Sequence, residues 1–346
     1  MEPRDATPDD VPSLYALWER AFDAPLMVPV YETDAGRLAR TVVAADAAGD
    51  VVASVYWTPR SVASADGSRV LRAGCVANVA VAPEARGRGL VRRLLAATHD
   101  RMSAAGVDVS LLFTGTPGVY GSSGYAAFDV PVLTGTPRLP PAGPVVMASE
   151  NPLDAPADGP PTVRADRLPS DSWQPWGPAL PWESLARLHD ATDTTPDGRR
   201  RPLATIRTAA HWERRVPLWY RSCELLTARS PHGDVLGYVV LEPVAALLRV
   251  RELATRTGAQ GGEAAAALAD ATLARARHHG ATSLEVRLPR DTLGRGFADA
   301  VLADAAPSTD ATGMLRPVHA DPAEVAALRA SPTGAAAGFH WPGDYA

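Results

Sequence analysis

The sequence contains no lysine and only two cysteines, Cys75 and Cys223. Two distant cysteines provide neither a disulfide framework nor the paired spacing of a metal site. No apolar run reaches the length of a membrane span, and Met1–Asp5 is followed by no apolar stretch typical of a signal peptide. These absences predict a cytoplasmic protein with no metal and no membrane contact.

Negative charge slightly outweighs positive charge. The formal net charge of the 346 residues is −5, which argues against a nucleic-acid partner. Hydrophobic residues make up 46% and charged residues 21%, as in ordinary folded proteins. The length is sufficient for two domains, each with its own core.

One stretch of the first half combines a strand, a basic glycine turn and a helix. Val79–Ala82 is apolar and rich in valine, which predicts a buried strand that Pro83 ends. Arg86–Gly89 alternates arginine with glycine. Apolar residues then recur at helical spacing, namely Leu90, Leu94, Leu95 and Met102.

Such a turn suits a bound anion. A helix N-terminus offers unpaired N–H groups and the positive end of the helix dipole, and glycines allow close approach. A pyrophosphate is therefore expected here, although a surface turn with merely solvated arginines is the plainer alternative. Neither the Gly-Lys-Ser/Thr ending of a P-loop nor the three-glycine dinucleotide fingerprint is present.

The stretch resembles motif A of the GNAT N-acetyltransferases, which hold the pyrophosphate of acetyl-CoA on an Arg-x-x-Gly-x-Gly/Ala loop. Arg86 matches the leading arginine and Gly89 the first glycine, whereas Val91 stands where a small residue is usual. Together with the preceding string Gly74–Pro83, the motif looks most like the Eis-type (enhanced intracellular survival) branch. The resemblance implies acetyl-CoA as co-substrate, bound by Val79, Ala80, Val81, Arg86, Gly87, Arg88, Gly89, Leu90, Val91, Arg92, Gly115 and Thr116.

The segment Tyr120–Tyr125 is similar to the Tyr-Gly-x-x-Gly-Tyr segment of the same branch. There the first tyrosine donates a proton to the departing thiolate of CoA, so the resemblance gives this catalytic role to Tyr120. A phenol can protonate a thiolate as it forms. Tyr125 is expected to be a packing residue.

The order of predicted elements repeats in the second half. We expect an α/β fold of tandem GNAT-like domains with mixed sheets, the first over 1–136 and the second over 162–318. A proline-rich linker would cover 137–161 and a tail 319–346. The second turn, Ala254–Glu263, has glycines but a single nearby cation. It predicts a degenerate copy that helps to wall the substrate cleft, with a second CoA site left open.

The third, sterol-carrier-like domain of the Eis-type proteins has no counterpart in the sequence. In those proteins the C-terminal carboxylate is the general base. The resemblance gives this role to the carboxylate of Ala346, or to Asp344, in a tail that folds back to the active site; a purely structural tail is the alternative. Further candidates for the base are Glu32, Asp34 and His340.

The sequence thus predicts an N-acyltransferase that moves acetyl from acetyl-CoA to a primary amine by direct attack. The acceptor would be a small-molecule or peptide amine, and the relatives' assembly implies a homo-oligomer. Two other classes stay open: a transferase that uses aminoacyl-tRNA, which would need a basic groove, and a non-catalytic CoA-binding or scaffold protein.

Overall fold

The computed structural model describes residues 1–22, 27–138, 160–167, 182–195, 197–335 and 337–344. Contacts divide the chain into two compact units. The first consists of Met1–Asp129, Ala311–Ala330 and Asp344–Ala346, and the second of Val130–Asp310 and Ser331–Gly343. None of the helices in the described ranges is long and apolar enough to cross a membrane.

The strands and helices follow one another along the chain in a mixed α/β order. In chain order the strands are β1 (Arg4–Asp5), β2 (Thr41–Ala45), β3 (Val51–Ala63), β4 (Val70–Val81), β5 (Val109–Phe113), β6 (Ala126–Gly135), β7 (Thr162–Arg167), β8 (Glu224–Arg229), β9 (Val235–Val244), β10 (Leu247–Thr255), β11 (Ser283–Val286) and β12 (Ala306–Pro317). The helices are α1 (Val11–Ala21), α2 (Met27–Glu32), α3 (Leu90–Ala104), α4 (Trp182–Thr192), α5 (Ala209–Arg214), α6 (Val216–Trp219), α7 (Ala259–His278), α8 (Thr292–Val301) and α9 (Pro322–Ala330).

The sheet of the first unit has the order β1-β2-β3-β4-β5-β12. Only β4 and β5 are parallel, because α3 carries the chain back between them; the other neighbours are antiparallel. The last strand comes from the far end of the chain, where Gly313–Pro317 pairs with Val109–Phe113.

The sheet of the second unit has the matching order β7-β8-β9-β10-β11-β6, again with a single parallel pair, β10 and β11. Its last strand comes from the first half of the chain, where Leu133–Gly135 pairs with Leu284–Val286. The repeated strand order confirms the prediction of tandem mixed sheets. The domain boundaries stay predictions, and most of the proposed linker, residues 139–159, lies outside the described residues.

Helix α3 follows the apolar periodicity of the sequence. Leu90, Leu94, Leu95 and Met102 are all buried, in one hydrophobic cluster with α1 and strands β2 to β4. Gly74 of β4 lets α3 pack closely, because a Cβ there would lie 2.8 Å from Met102 Cε. The helix is therefore set firmly on the sheet beside β4.

Two helices were not anticipated from the sequence. Helix α2 is short, and α8 contains Gly294 and Gly296, which disfavour a helix. In α8 local contacts and packing outweigh this cost: the Asp291 carboxylate accepts a hydrogen bond from Gly294 N at 2.7 Å, and Phe297 and Val301 are buried.

A buried polar network crosses the core of the first unit between α3 and β5. The Tyr125 hydroxyl lies 2.6 Å from Ser110 Oγ and 3.0 Å from His99 Nε2, and Ser110 Oγ donates to the Gly74 carbonyl at 3.1 Å. Because Ser110 uses its proton on the carbonyl, Tyr125 donates to Ser110 and His99 Nε2–H donates to Tyr125. Burial, and then the charge of Arg316, lower the pKa of His99 from 6.5 to about 4. His99 is thus a neutral donor in the folded protein.

Acid should therefore destabilise the first unit through His99. Between pH 6.5 and about 4 the unfolded chain binds a proton at His99 that the folded chain does not, so this stability is present above pH 6.5 and is lost as the pH falls through 4. Between pH 7 and 4, the wild type should lose on the order of 3 kcal/mol more unfolding free energy than His99→Gln, which keeps an N–H donor. Urea titrations at both pH values measure this; equal losses in both proteins would contradict it.

Candidate active site

A cleft of about 420 Å³ opens in the first unit where β4 ends and α3 begins. Four segments line it: the end of α1, the end of β4, the turn before α3 and the loop after β5. The lining residues are Ala21, Phe22, Val79, Ala80, Val81, Ala85, Arg86, Gly87, Gly89, Leu90, Val91, Thr116, Val119 and Tyr120.

The cleft exists because β4 and β5 part. Their pairing covers Ala73–Val76 on β4 and Val109–Leu112 on β5. Beyond Val76, β4 stays paired with β3 on its other side as far as Val81. The edge of β4 that would have faced β5 is therefore open, and its backbone groups can bind a ligand.

A bulge lies at the point where the two strands part. Tyr56 pairs with Ala77 and Ser54 with Ala80, so the single residue Val55 faces both Asn78 and Val79. Asn78 has a φ of 50°, in the left-handed region that asparagine tolerates better than most residues. The extra residue reverses which backbone groups of the following segment face the open edge.

The glycine turn is shaped for close approach of an anion. Gly87 and Gly89 have φ values of 74° and 69°, and a Cβ built on either would meet no atom within 4 Å. Gly89 is the N-cap of α3, so the first N–H groups of that helix are directed towards this space. The turn has the free space and the positive charge that an anion of pyrophosphate size would need.

The predicted arginines differ in their placement. All three are exposed, but only Arg86 is among the residues that line the cleft; Arg88 and Arg92 are not. Arg88 Nη2 donates to the Glu84 carbonyl at 3.1 Å. These side chains give the mouth of the cleft a positive charge in a protein whose net charge is negative.

Tyr120 lies on the opposite wall, at the junction of two short 3₁₀ turns. Its side chain is buried and packs edge-on against Tyr125, with ring centroids 6.1 Å apart. Burial raises the pKa of the Tyr120 phenol, and the neighbouring Thr114 hydroxyl opposes part of this rise. The phenol is therefore fully protonated at neutral pH.

Most of the residues predicted for the co-substrate come together in this cleft. Those that line it are Val79, Ala80, Val81, Arg86, Gly87, Gly89, Leu90, Val91 and Thr116, together with the predicted acid Tyr120. Arg88, Arg92 and Gly115 are exposed and do not line it. Ala346 lies outside the described residues, so its role stays a prediction.

Four lining residues were not predicted: Ala21, Phe22, Ala85 and Val119. Phe22 directly follows α1, and Val119 directly precedes Tyr120. Nothing in their local pattern marks them, because an apolar residue at a helix end or in a loop is common. Their place at the cleft follows from the tertiary fold.

Two of the proposed bases are engaged elsewhere. The Asp34 carboxylate accepts hydrogen bonds from Tyr56 Oη at 2.7 Å and from Arg40. His340 is buried in the second unit, where Nδ1 lies 3.1 Å from the Leu203 carbonyl. Glu32 is exposed and accepts a hydrogen bond from the Tyr15 hydroxyl at 3.0 Å.

The C-terminal tail is packed as far as it is described. Phe339 and Trp341 are each 1% exposed, and Trp341 Nε1 donates to Asp193 Oδ2 at 2.8 Å. Asp344 is completely buried and belongs to the first unit. The tail is thus packed against the protein as far as Asp344.

In the second unit the corresponding strand also parts from its parallel neighbour, because β10 pairs with β11 over Leu247–Val250 only. This strand, the fourth of its sheet, also has an irregularity, between Val250 and Glu252. Glu252 is completely buried, and Arg207 donates to its two oxygens at 3.0 and 2.8 Å. The hydroxyls of Tyr220 and Tyr238 donate to the same carboxylate. Burial by itself would raise the pKa of Glu252, but Arg207 and then His189 outweigh it and lower the pKa.

The described residues contain no group of three or more histidine, cysteine, aspartate or glutamate side chains arranged to hold a metal ion.

A family model for the acetyltransferase (GNAT) domain matches residues 2–128. A search of curated proteins found no match.

Solved structures share the fold of nearly the whole chain. A "probable N-acyltransferase" from Enterococcus faecalis V583 is 17% identical, with a TM-score of 0.63 over 92% of this chain and 73% of that one. A GCN5-related N-acetyltransferase from Kribbella flavida is 18% identical, with a TM-score of 0.62 over 92% and 71%. Eis1 from Mycobacterium abscessus is 17% identical, with a TM-score of 0.57 over 92% and 74%.

The family match and the cleft fall on the same residues. Acetyl-CoA is the acyl donor of this family, and the glycine turn has the room and the charge for its pyrophosphate. Residues 2–128 are a GNAT acetyltransferase domain, and the chain that contains it is an acyl-CoA-dependent N-acyltransferase.

Proposed function

We propose that the protein transfers the acetyl group of acetyl-CoA to a primary amine by direct attack of the amine on the thioester. The observation that carries this proposal is the convergence of three features on one cleft: the open edge of β4, the glycine turn of α3 and the buried Tyr120. Each suits a different part of the reaction.

Binding would begin at the turn. The pyrophosphate would lie against Gly87 and Gly89, with the charge of Arg86 and Arg88 and the first N–H groups of α3. The pantetheine arm carries amide groups that can pair with an exposed strand edge, here Val79–Val81. Such pairing would place the thioester oxygen near backbone N–H donors that stabilise developing negative charge.

In the chemical step the amine nitrogen forms a bond to the carbonyl carbon, and the carbon–sulfur bond breaks. The CoA thiolate takes a proton from the Tyr120 hydroxyl, which solvent then restores. The attacking nitrogen must lose a proton to a base. We propose the carboxylate of Ala346 for this role, supported by the burial of the tail residues that precede it.

The acceptor is a small-molecule or peptide amine. Because no acidic residue lines the described cleft, the lining gives no preference for a polycationic acceptor over a singly charged one.

The double variant Arg86→Ala/Arg88→Ala tests the co-substrate site. It should weaken acetyl-CoA binding about 10- to 100-fold, since two charge-assisted contacts to phosphate are lost. Isothermal titration calorimetry measures the affinity. Arg187→Ala/Arg199→Ala, which removes two exposed arginines of the second unit, should bind like the wild type. A wild-type protein that does not bind acetyl-CoA would contradict the proposed function itself.

Tyr120→Phe tests the proton donor. The ring and its packing against Tyr125 are kept, so acetyl-CoA affinity should stay within about twofold while kcat falls about 100-fold. Steady-state release of CoA with an accepted amine gives both values. Unchanged kcat in Tyr120→Phe would remove Tyr120 as the acid.

The proposed base can be tested without removing any side chain. One glycine added after Ala346 moves the terminal carboxylate by one residue and should lower kcat about 100-fold, with acetyl-CoA affinity retained. Asp344→Asn leaves the Ala346 carboxylate in place and tests whether the Asp344 side chain is the base instead. If the extended protein keeps its kcat and Asp344→Asn loses it, the base is Asp344 and not Ala346.

A further inference from the structure

A buried hydrogen-bond relay runs from α1 through β3 to the bulge of β4. Trp18 Nε1 donates to Ser54 Oγ at 2.9 Å, and Ser54 Oγ donates to the Asn78 carbonyl at 3.0 Å. Trp18 is 2% exposed and Ser54 1%. The hydroxyl thus accepts one bond and donates one, and no water is needed to satisfy it.

The relay ends on Asn78, the residue that sets which backbone groups of the following segment face the cleft. Asn78 is the extra residue of the bulge, with its φ of 50°, and the next three residues line the cleft. In a strand, successive N–H and C=O groups alternate between the two edges. A one-residue bulge therefore decides which groups of Val79–Val81 face the open edge and which face β3.

Backbone pairing alone does not hold this residue. Ala77 and Ala80 pair with β3 on either side of the bulge, and β5 has already left the other edge after Val76. The Ser54 hydroxyl supplies the contact that the ladder omits. If it were lost, the buried Trp18 N–H and the half-buried Asn78 carbonyl would both lose this partner, and the bulge could relax to satisfy them.

We infer that Ser54, oriented by Trp18, is a positioning residue for the acyl donor: it holds the Asn78 bulge so that the backbone groups of Val79–Val81 meet the pantetheine arm and the thioester. This role rests on the proposed placement of acetyl-CoA along β4. Ser54 is not among the residues that line the cleft and acts through the backbone.

Ser54→Ala is the primary test, with two ligands. Acetyl-CoA reaches both the glycine turn and the edge of β4, whereas 3′-phosphoadenosine 5′-diphosphate carries the nucleotide and pyrophosphate alone. The variant should bind acetyl-CoA about tenfold more weakly and the nucleotide as tightly as the wild type, both by calorimetry. Ser54→Thr retains a hydroxyl at this position and should restore binding of acetyl-CoA.

Thr98→Val is the matched control. Thr98 lies in the same unit, is also fully buried, and its Oγ1 donates to the Leu94 carbonyl at 2.8 Å. Its loss should lower the unfolding midpoint by a similar amount but leave acetyl-CoA binding unchanged. If Ser54 has only a structural role, Ser54→Ala will behave like Thr98→Val, with a lower unfolding midpoint and unchanged acetyl-CoA binding. That outcome would overturn the inference.

Three further outcomes are informative. Equal weakening of acetyl-CoA and the nucleotide in Ser54→Ala would mean a general loss of structure and would also overturn the inference. If Ser54→Ala does not fold, Trp18→Phe carries the test, with about threefold weaker acetyl-CoA binding expected and wild-type binding overturning it. Failure of the wild type to bind acetyl-CoA would instead refute the proposed function.

Discussion

Two neighbouring strands that part leave a row of backbone N–H and C=O groups that must find other partners. In the first unit this happens after Val76, where β4 keeps its pairing with β3 but loses β5. The rest of the site depends on that parting. Helix α3 occupies the crossover, its N-terminus lies at the same end of the sheet, and the loop after β5 brings Tyr120 to the opposite wall. One constraint on the sheet thus places a strand edge, the glycine turn proposed to bind the pyrophosphate and the proposed proton donor around one cleft.

The second unit has the same strand order, and its β10 also parts from β11 after Val250, but it carries a buried ion pair beside that point. At the irregularity of β10 it places a carboxylate, Glu252, and surrounds it with Arg207 and two tyrosine hydroxyls. Such a buried ion pair is costly to desolvate, and it is kept only with several hydrogen bonds. Gly258 is the N-cap of α7, but Gly261 is close-packed: a Cβ there would lie 1.7 Å from the Arg256 carbonyl. These features support the interpretation of the second half as a copy with a structural role.

The features that were predicted correctly from the sequence are those with short-range sequence signals. The periodicity of α3, the glycines at 87 and 89 and the strand before them are short-range signals, and the structure assembles them as expected. The bulge at Asn78 could not be predicted in this way. Its signal is one asparagine in a valine-rich strand, and its partner Ser54 is distant in sequence. Phe22 and Val119 likewise join the cleft only through tertiary packing. The hydrogen bond from Tyr56 to Asp34, which joins residues 22 positions apart, depends equally on tertiary packing.

The exchange of last strands between the units affects how the chain is made. During synthesis β5 leaves the ribosome long before β12, and β6, which follows β5 directly, pairs in the other unit. The outer edge of β5 therefore has no strand beside it until β12 has been translated, after every other strand of both units, so the first unit cannot complete its sheet while the second is being made. Domain-by-domain folding from the N-terminus is the usual route, and an unpaired edge favours aggregation. The long-range pairing also predicts slow folding and an acetyltransferase half that matures only after the second unit has been made.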